Sequence, residues 1–159
     1  MESRSDDREA VARQLGREPA PFRVAARCPA GLPSVIENER RRDMPTTFWI
    51  TCPSLQADIS RIEAAGGVRT VQQEVGAEEV DAIHSAHLAS YGVRVAGIGG
   101  GTEGELVGRV KCLHAFTALH LAGALPNPVA EWALARLDAA SCPDPARCPG
   151  CVDRLEQTT

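Results

Sequence analysis

The segment from Thr46 to Cys52 constrains the fold of this chain more than any other segment. Its sequence, Thr-Thr-Phe-Trp-Ile-Thr-Cys, consists mainly of β-branched and aromatic residues, which favour a β-strand. Proline stands on either side, at Pro45 and Pro53, and proline cannot donate a backbone hydrogen bond to a neighbouring strand. We therefore predict a strand over 46–52 that ends at Cys52.

Two weaker strand signals precede this segment. Residues 22–28 alternate weakly between apolar and polar side chains, which is typical of a strand, and residues 34–38 give a second one. The stretch 29–33 between them contains two prolines and a glycine and favours a turn, so the two strands should form a hairpin. The early part of the chain thus predicts a small sheet with strands near 22–28, 34–38 and 46–52.

Helical patterns dominate the later part of the chain. Leu55, Ile59 and Ile62 recur at spacings of four and three, the period of a helix, and Gly66 suits its end. Residues 68–75 stay open between strand and loop, and Val93 and Val95 indicate a short strand. The predicted helices lie near 5–15, 55–65, 77–91, 108–122 and 128–137. This order of elements predicts an α+β fold, with the small sheet packed against several helices.

The length and composition fit one soluble domain. The 159 residues are enough to bury a core, and 43% of them are hydrophobic. We assign 1–140 to a single domain and expect 141–159, which is rich in cysteine and proline, to be a loosely ordered tail. The net charge of −4 argues against a general nucleic-acid binder. Because we find neither a secretory signal nor an apolar run near the roughly 20 residues that span a bilayer, we expect a cytoplasmic protein without a membrane partner.

Six cysteines are many for a cytoplasmic chain of this size. A reducing compartment disfavours disulfides, so the excess of thiols indicates metal or redox chemistry. The alternative is that the buried cysteines act as small hydrophobic residues of the core.

Cys28, Cys52 and Cys112 form the first candidate site. Cys28 and Cys52 each precede a proline at the end of a predicted strand, so their sulfurs can lie side by side if those strands are neighbours. Cys112 lies near a helix start beside Arg109 and Lys111, where the helix dipole and the cations favour thiolate. Thiolate is the form that binds metals or attacks electrophiles. Three thiolates with an imidazole can bind zinc, and three thiolates can also hold an iron–sulfur cluster, so both cofactors stay open.

Helix geometry limits the choice of a further ligand. Cys112 and His114 point to nearly opposite sides of a helix, so His114 can join the site only if Cys112 precedes the first turn. His120 is eight residues beyond Cys112, about 12 Å along a helix, and should not share its metal. His87 is the other candidate ligand, although a histidine on an apolar helix face is more often a hydrogen-bonded core residue.

A glycine-rich loop, Gly97 to Gly104, precedes these residues. It contains the pattern G-x-G-x-x-G, but no βαβ unit surrounds it, so a dinucleotide site is disfavoured. With Arg109 and Lys111 it predicts a pocket for a small anionic ligand, a phosphate or a carboxylate, and the alternative is a flexible hinge. The tail carries three further cysteines, which form either a metal half-site or solvated thiols: Cys142, Cys148 and Cys151.

Several of these motifs together resemble DUF501, a bacterial family of unknown function. The resemblance extends over about residues 10–132, and its most specific pieces are Arg27-Cys-Pro-Ala-Gly-Leu-Pro33, Thr51-Cys-Pro53 and Arg109-Val-Lys-Cys-Leu-His114. The family usually continues Asn-Pro-Val with glycine, where this chain has Ala130. The resemblance implies a small cytoplasmic bacterial protein, and it brings no activity with it. Its pattern includes Cys28, Cys52 and Cys112.

Two hypotheses for the function follow. In the first, the protein binds a metal, zinc or an iron–sulfur cluster, through Cys28, Cys52 and Cys112, with His114 or His87 completing the ligand set and Arg109 and Lys111 attracting an anion. An open coordination position would make it an enzyme, and a closed one would make the metal structural. In the second, it is a non-enzymatic binding or regulatory protein with core cysteines, which recognises a phosphorylated ligand or a protein partner.

Overall fold

The computed structural model describes residues 5–44, 46–96 and 108–137 of the chain. These ranges contain three strands and six helices. In chain order they are α1 (Ser5–Leu15), β1 (Phe22–Arg27), β2 (Pro33–Asn38), β3 (Phe48–Ile50), α2 (Pro53–Ala64), α3 (Gly67–Val75), α4 (Ala77–Tyr91), α5 (Leu113–Leu121) and α6 (Pro128–Leu134). The predicted α+β fold is confirmed. The glycine loop 97–104 and the predicted tail 141–159 lie outside the described residues.

The three strands form an antiparallel sheet in the order β1–β2–β3. Val24 of β1 lies opposite Ile36 of β2, as the predicted hairpin requires, and Val35 lies opposite Ile50 of β3. Because both outer strands run antiparallel to β2, they run parallel to each other and end at the same end of the sheet. The two Cys-Pro steps therefore lie at one end of the sheet, with the start of β2 between them.

The sheet separates two groups of buried apolar side chains, because successive side chains of a strand point to opposite faces. Val35 and Ile50 lie on one face and pack into the main core with residues of α2 to α6. Phe22 and Ile36 lie on the other face and pack with Val11 of α1. The single helix α1 thus covers one face, and the later helices cover the other.

Helix α5 lies at the centre of the main core. Six of its nine residues are buried, and it packs against β3, α2 and α6. Burial of a side chain such as Leu113 or Phe116 stabilises the fold by about 1.5–3 kcal/mol. The N-terminus of α5, which follows Cys112, is therefore fixed between α2 and β3. None of the described helices combines the length and the hydrophobicity that a membrane crossing requires.

Three local predictions differ from the structure. Residues 68–75 are neither strand nor loop but belong to α3, because Val68, Val71 and Val75 lie on one helix face against the main core. The predicted strand at Val93 and Val95 is absent, since residues 92–96 form bends and turns. The helix predicted near 108–122 begins only at Leu113, because Gly108 has a positive φ and Cys112 is extended.

Candidate metal centre

Cys112 precedes the first turn of α5. Its backbone is extended, with φ −155° and ψ 124°, and it is the N-cap residue of the helix. The condition for His114 to reach the same site as Cys112 is therefore fulfilled. The Sγ atom of Cys112 lies 3.4 Å from Nδ1 of His114.

The non-helical segment before Cys112 is held at three consecutive residues. Gly108 has φ +67°, and a Cβ atom at this position would lie 2.4 Å from the Cβ of Ala77 at the start of α4. Nε2–H of His84 donates a hydrogen bond to the carbonyl of Arg109 at 2.7 Å. The N–H of Val110 donates to Oε1 of Gln72 at 2.7 Å. Helices α3 and α4 thus set the direction in which the chain reaches Cys112.

Glu63, in the last turn of α2, completes the group. Its Oε1 accepts a hydrogen bond of 2.7 Å from the N–H of Leu113. The side chain of Cys112 forms no capping hydrogen bond, so Glu63 supplies an acceptor that the N-terminus of α5 needs. The same Oε1 lies 3.2 Å from Nδ1 of His114.

The other ring nitrogen of His114 faces α2. Its Nε2 lies 3.1 Å from the carbonyl oxygen of Gln56 and 3.2 Å from Oγ of Ser60. Because a carbonyl can only accept, Nε2 carries the hydrogen and donates it to Gln56. In the neutral ring the lone pair is then on Nδ1, the atom that faces Cys112 and Glu63.

Two opposing influences act on the pKa of His114. Burial lowers this pKa, whereas the hydrogen bond and the charge of Cys112 raise it. The carbonyl of Gln56 and the charge of Glu63 add to the increase, and together they raise the pKa of His114 to about 9. Without a metal, His114 therefore carries a proton on Nδ1 at neutral pH.

The three side chains meet the spacing of a metal site. One ligand atom from each of Glu63, Cys112 and His114 lies within 4.8 Å of the other two. In a tetrahedral zinc site with bonds of 2.0–2.3 Å, ligand atoms are about 3.5 Å apart. The distances from His114 Nδ1 to the sulfur and to the carboxylate, 3.4 Å and 3.2 Å, agree with that value.

A cavity of about 320 Å³ adjoins this group. Cys112 and His114 form one side of it, next to Thr46 and Gln56. The remaining lining is apolar and comes mainly from β3 and α5: Phe48, Trp49, Ile50, Ala96 and Ala115. Two of the three candidate ligands thus face a space that a small molecule can fill.

The sequence model of the family described as "Protein of unknown function (DUF501)" matches residues 24–94 and 81–135. The chain belongs to this family. The predicted resemblance is confirmed, and the matched residues include Glu63, Cys112 and His114. No curated protein and no solved structure matches the chain. The DUF501 description carries no activity, so the geometry of the site has to suggest the function.

The other two cysteines of the predicted ligand set lie apart from this group. Cys28 follows β1 in a tight turn, where its N–H donates to the carbonyl of Leu32 at 2.8 Å. Cys52 is buried and is the N-cap residue of α2. The strands that they end are not neighbours, because β2 lies between them, and two strand spacings amount to about 10 Å. Of the described residues, the group that meets metal spacing includes Cys112 alone of the three, so the three-thiol ligand set stays a prediction.

His87 and His120, the other two histidines considered as ligands, form hydrogen bonds elsewhere. Nδ1–H of His87 donates to the carbonyl of Val93 at 2.5 Å, and the ring stacks in a tilted orientation on Tyr91. Burial is the main influence that lowers the pKa of His87. His120 accepts a hydrogen bond at Nδ1 from the N–H of Asn127, at 3.1 Å. Both have the hydrogen bonds expected of structural histidines, and His87 is outside the group with Cys112 and His114.

The predicted anion-binding residues are exposed. Arg109 and Lys111 lie on the non-helical segment before α5, and neither is among the described residues that line the cavity. Binding of an anion by this pair stays a prediction. The glycine loop at 97–104, and the tail cysteines Cys142, Cys148 and Cys151, lie outside the described residues.

Glu63 was not predicted as a site residue. It is 51 residues from His114, within an ordinary charged helix end, and its role depends on how α2 packs beside α5. One signal was present: α5 lacks an acidic residue in its first turn, so its N-terminus needs an acceptor from elsewhere in the fold.

Proposed function

We propose that the protein binds one zinc ion through Sγ of Cys112, Nδ1 of His114 and the carboxylate of Glu63. A fourth coordination position would face the cavity lined by Cys112 and His114. The observation that carries this proposal is the orientation of the His114 ring. Its Nε2–H is engaged by the Gln56 carbonyl, so Nδ1 points at a sulfur and a carboxylate oxygen.

When Cys112 is a thiolate, this orientation favours a positive charge at the centre of the group. With Cys112 and Glu63 ionised, the lone pair on Nδ1 of a neutral His114 faces two negative groups. Either a proton or a metal ion can supply the missing charge, and the raised pKa of His114 describes the first case. Metal-binding histidines usually donate their other N–H to a carbonyl or a carboxylate, as His114 does to Gln56.

The donor atoms favour zinc over the other cofactor considered. One thiolate, one imidazole and one carboxylate form a ligand set that zinc accepts at bond lengths of 2.0–2.3 Å. An iron–sulfur cluster is held mainly by cysteine thiolates, and the group at Cys112 has one. Zinc sites with three protein ligands keep a position for water or substrate, whereas structural sites usually have four. Within residues 5–44, 46–96 and 108–137 the group has three ligands, which favours a zinc ion that takes part in binding or catalysis.

Metal analysis of purified variants tests the proposal. Protein loaded with Zn²⁺ and freed of excess metal should retain about one zinc per chain. Cys112→Ser and His114→Ala should each weaken zinc binding by more than about 100-fold, because loss of a ligand exceeds the effect of losing an outer hydrogen bond. Cys28→Ser is the matched control and should bind zinc as the unaltered protein does. To exclude binding by the tail, all variants carry serine at three positions: Cys142, Cys148 and Cys151.

A reactive thiol is the second candidate function, and the pairing of Cys112 with His114 favours it. Nδ1 of His114 lies 3.4 Å from Sγ of Cys112, close enough for a histidine to act as the base for this thiol beside the cavity. Iodoacetamide separates the two functions. Zinc at the site should protect Cys112 from alkylation, whereas rapid alkylation in the presence of saturating zinc would favour the reactive thiol.

A further inference from the structure

The residues that line the cavity beside the zinc ligands differ in polarity and charge. Apart from Cys112 and His114, the described lining residues carry no charge, and most of them are apolar. The charged end of the cavity is therefore the end at the metal. A ligand that contacts both the metal and the uncharged lining has one group that coordinates a metal and a body without charge.

The size and the walls of the cavity point to a small molecule. Its volume of about 320 Å³ is at the lower limit of common small-molecule sites. The apolar side chains of Phe48 and Ile50 line it from β3, and Ala115 lines it from α5. Short side chains such as Ala96 and Ala115 leave space that larger residues would fill.

We propose that this cavity is the binding site for a small molecule with one oxygen-based metal-coordinating group, such as a carboxylate, and an uncharged apolar body. The coordinating group takes the open position on the zinc, and the body lies against Phe48 and Ile50. This inference rests on the proposed zinc site and names the class of ligand that the site takes. It also differs from a phosphate site, because a phosphate has no apolar body to bury.

Three probes separate the two ends of the cavity. Benzohydroxamate has a metal-binding head and an apolar ring, acetohydroxamate has the same head without the ring, and benzamide has the ring without the chelating head. Binding is measured by isothermal titration calorimetry on the zinc-loaded full chain.

The affinity of each probe should depend on whether it contacts the metal, the apolar lining or both. Burial of a phenyl ring is worth roughly a factor of 10 to 100 in affinity. We expect benzohydroxamate to bind at least about tenfold more tightly than acetohydroxamate, and benzamide to bind weakly. Equal affinities for the two hydroxamates would overturn the inference.

A pair of variants tests the location. Gln56 lines the cavity and is exposed, and its backbone rather than its side chain holds His114, so Gln56→Phe should fill the cavity without disturbing the ligands. Ala64→Phe adds the same ring to an exposed position of α2 outside the lining and is the control. Gln56→Phe should weaken benzohydroxamate at least about tenfold and leave acetohydroxamate and zinc content unchanged. No effect of Gln56→Phe would overturn the inference.

Zinc content is measured on every sample before the probes are added. Failure to retain zinc would overturn the proposed function and, with it, this inference. Full zinc occupancy, with no preference for the apolar ring, would overturn the inference alone and leave the zinc site in place.

Discussion

Oε1 of Glu63 accepts a hydrogen bond from the N–H of Leu113 at 2.7 Å and so joins the end of α2 to the beginning of α5. The same oxygen lies 3.2 Å from Nδ1 of His114. One carboxylate therefore caps a core helix and contributes to the candidate metal centre. This double role means that substitutions of Glu63 can separate stability from metal binding.

Glu63→Gln should keep the hydrogen bond that caps α5 and lose zinc binding. Its amide oxygen can still accept from Leu113, so the metal-free variant should be more stable than Glu63→Ala. Glu63→Ala removes the acceptor and should cost about 1 kcal/mol of unfolding free energy, as loss of a helix cap usually does. Urea unfolding of the metal-free proteins measures this difference. The double role would be contradicted if Glu63→Gln bound zinc normally or were as unstable as Glu63→Ala.

His114 should make the metal-free protein less stable at alkaline pH. Its pKa is raised from 6.5 to about 9, so the native state holds the proton more tightly than the unfolded chain. The stabilisation is complete below pH 6.5 and is lost as the pH rises through about 9. Urea unfolding between these values should show the decline in the unaltered protein and a smaller one in His114→Asn. Identical pH profiles would contradict the assignment.

Zinc binding should have the opposite pH dependence. The metal must displace the proton from Nδ1 of His114, so the apparent affinity should rise with pH until about 9. Each displaced proton changes the affinity by about tenfold per pH unit. Competition with a chelating dye at several pH values measures the slope. A pH-independent affinity below pH 8 would show that no proton of this kind is displaced.

His87 should make the protein sensitive to acid. Burial lowers the pKa of His87, so the unfolded chain binds the proton more tightly than the native state does. Stability is therefore lost as the pH falls below 6.5, the ordinary value. His87→Asn places a donor near the position of Nδ1 but cannot titrate, so its loss of thermal stability between neutral and acidic pH should be smaller. An unchanged acid sensitivity would exclude His87 as the group responsible.

Gly108→Ala should disturb the approach to Cys112. The new Cβ would lie 2.4 Å from that of Ala77, in a backbone conformation with φ +67°. Gly123 has a similar φ of +69° but open space around it, so Gly123→Ala is a matched control for the backbone conformation alone. We expect a cost of about 1–2 kcal/mol for Gly123→Ala and a distinctly larger one for Gly108→Ala. Chemical unfolding of both variants tests this, and equal costs would contradict the close packing at Ala77.

Local patterns predicted most of the fold. The β-branched and aromatic residues from Thr46 to Cys52 located β3, although the strand itself is shorter, and apolar spacing located α2 and α4. The pattern failed at α3, where valines that favour strands lie at helical spacing and pack into the core. Tertiary packing overrides such propensities, and the sequence of one segment does not contain that information.

The part of the candidate site that comes from neighbouring residues in the sequence was predictable. Cys112 and His114 are two residues apart, and the prediction depended on where α5 begins, which the structure places after Cys112. The contribution of Glu63 depends on the packing of α2 against α5, and the separation of Cys28 from Cys52 depends on strand order. Both are relations between distant segments, which local periodicity cannot supply.

X-ray absorption spectroscopy at the zinc edge tests the central claim most directly. The sample is the zinc-loaded protein with serine in place of the three tail cysteines. The ligand set of Cys112, His114 and Glu63 predicts one sulfur per zinc at about 2.3 Å and the remaining ligands as nitrogen or oxygen at about 2.0–2.1 Å. Three sulfurs per zinc, as a site with Cys28 and Cys52 would give, or a protein that retains no zinc, would contradict it.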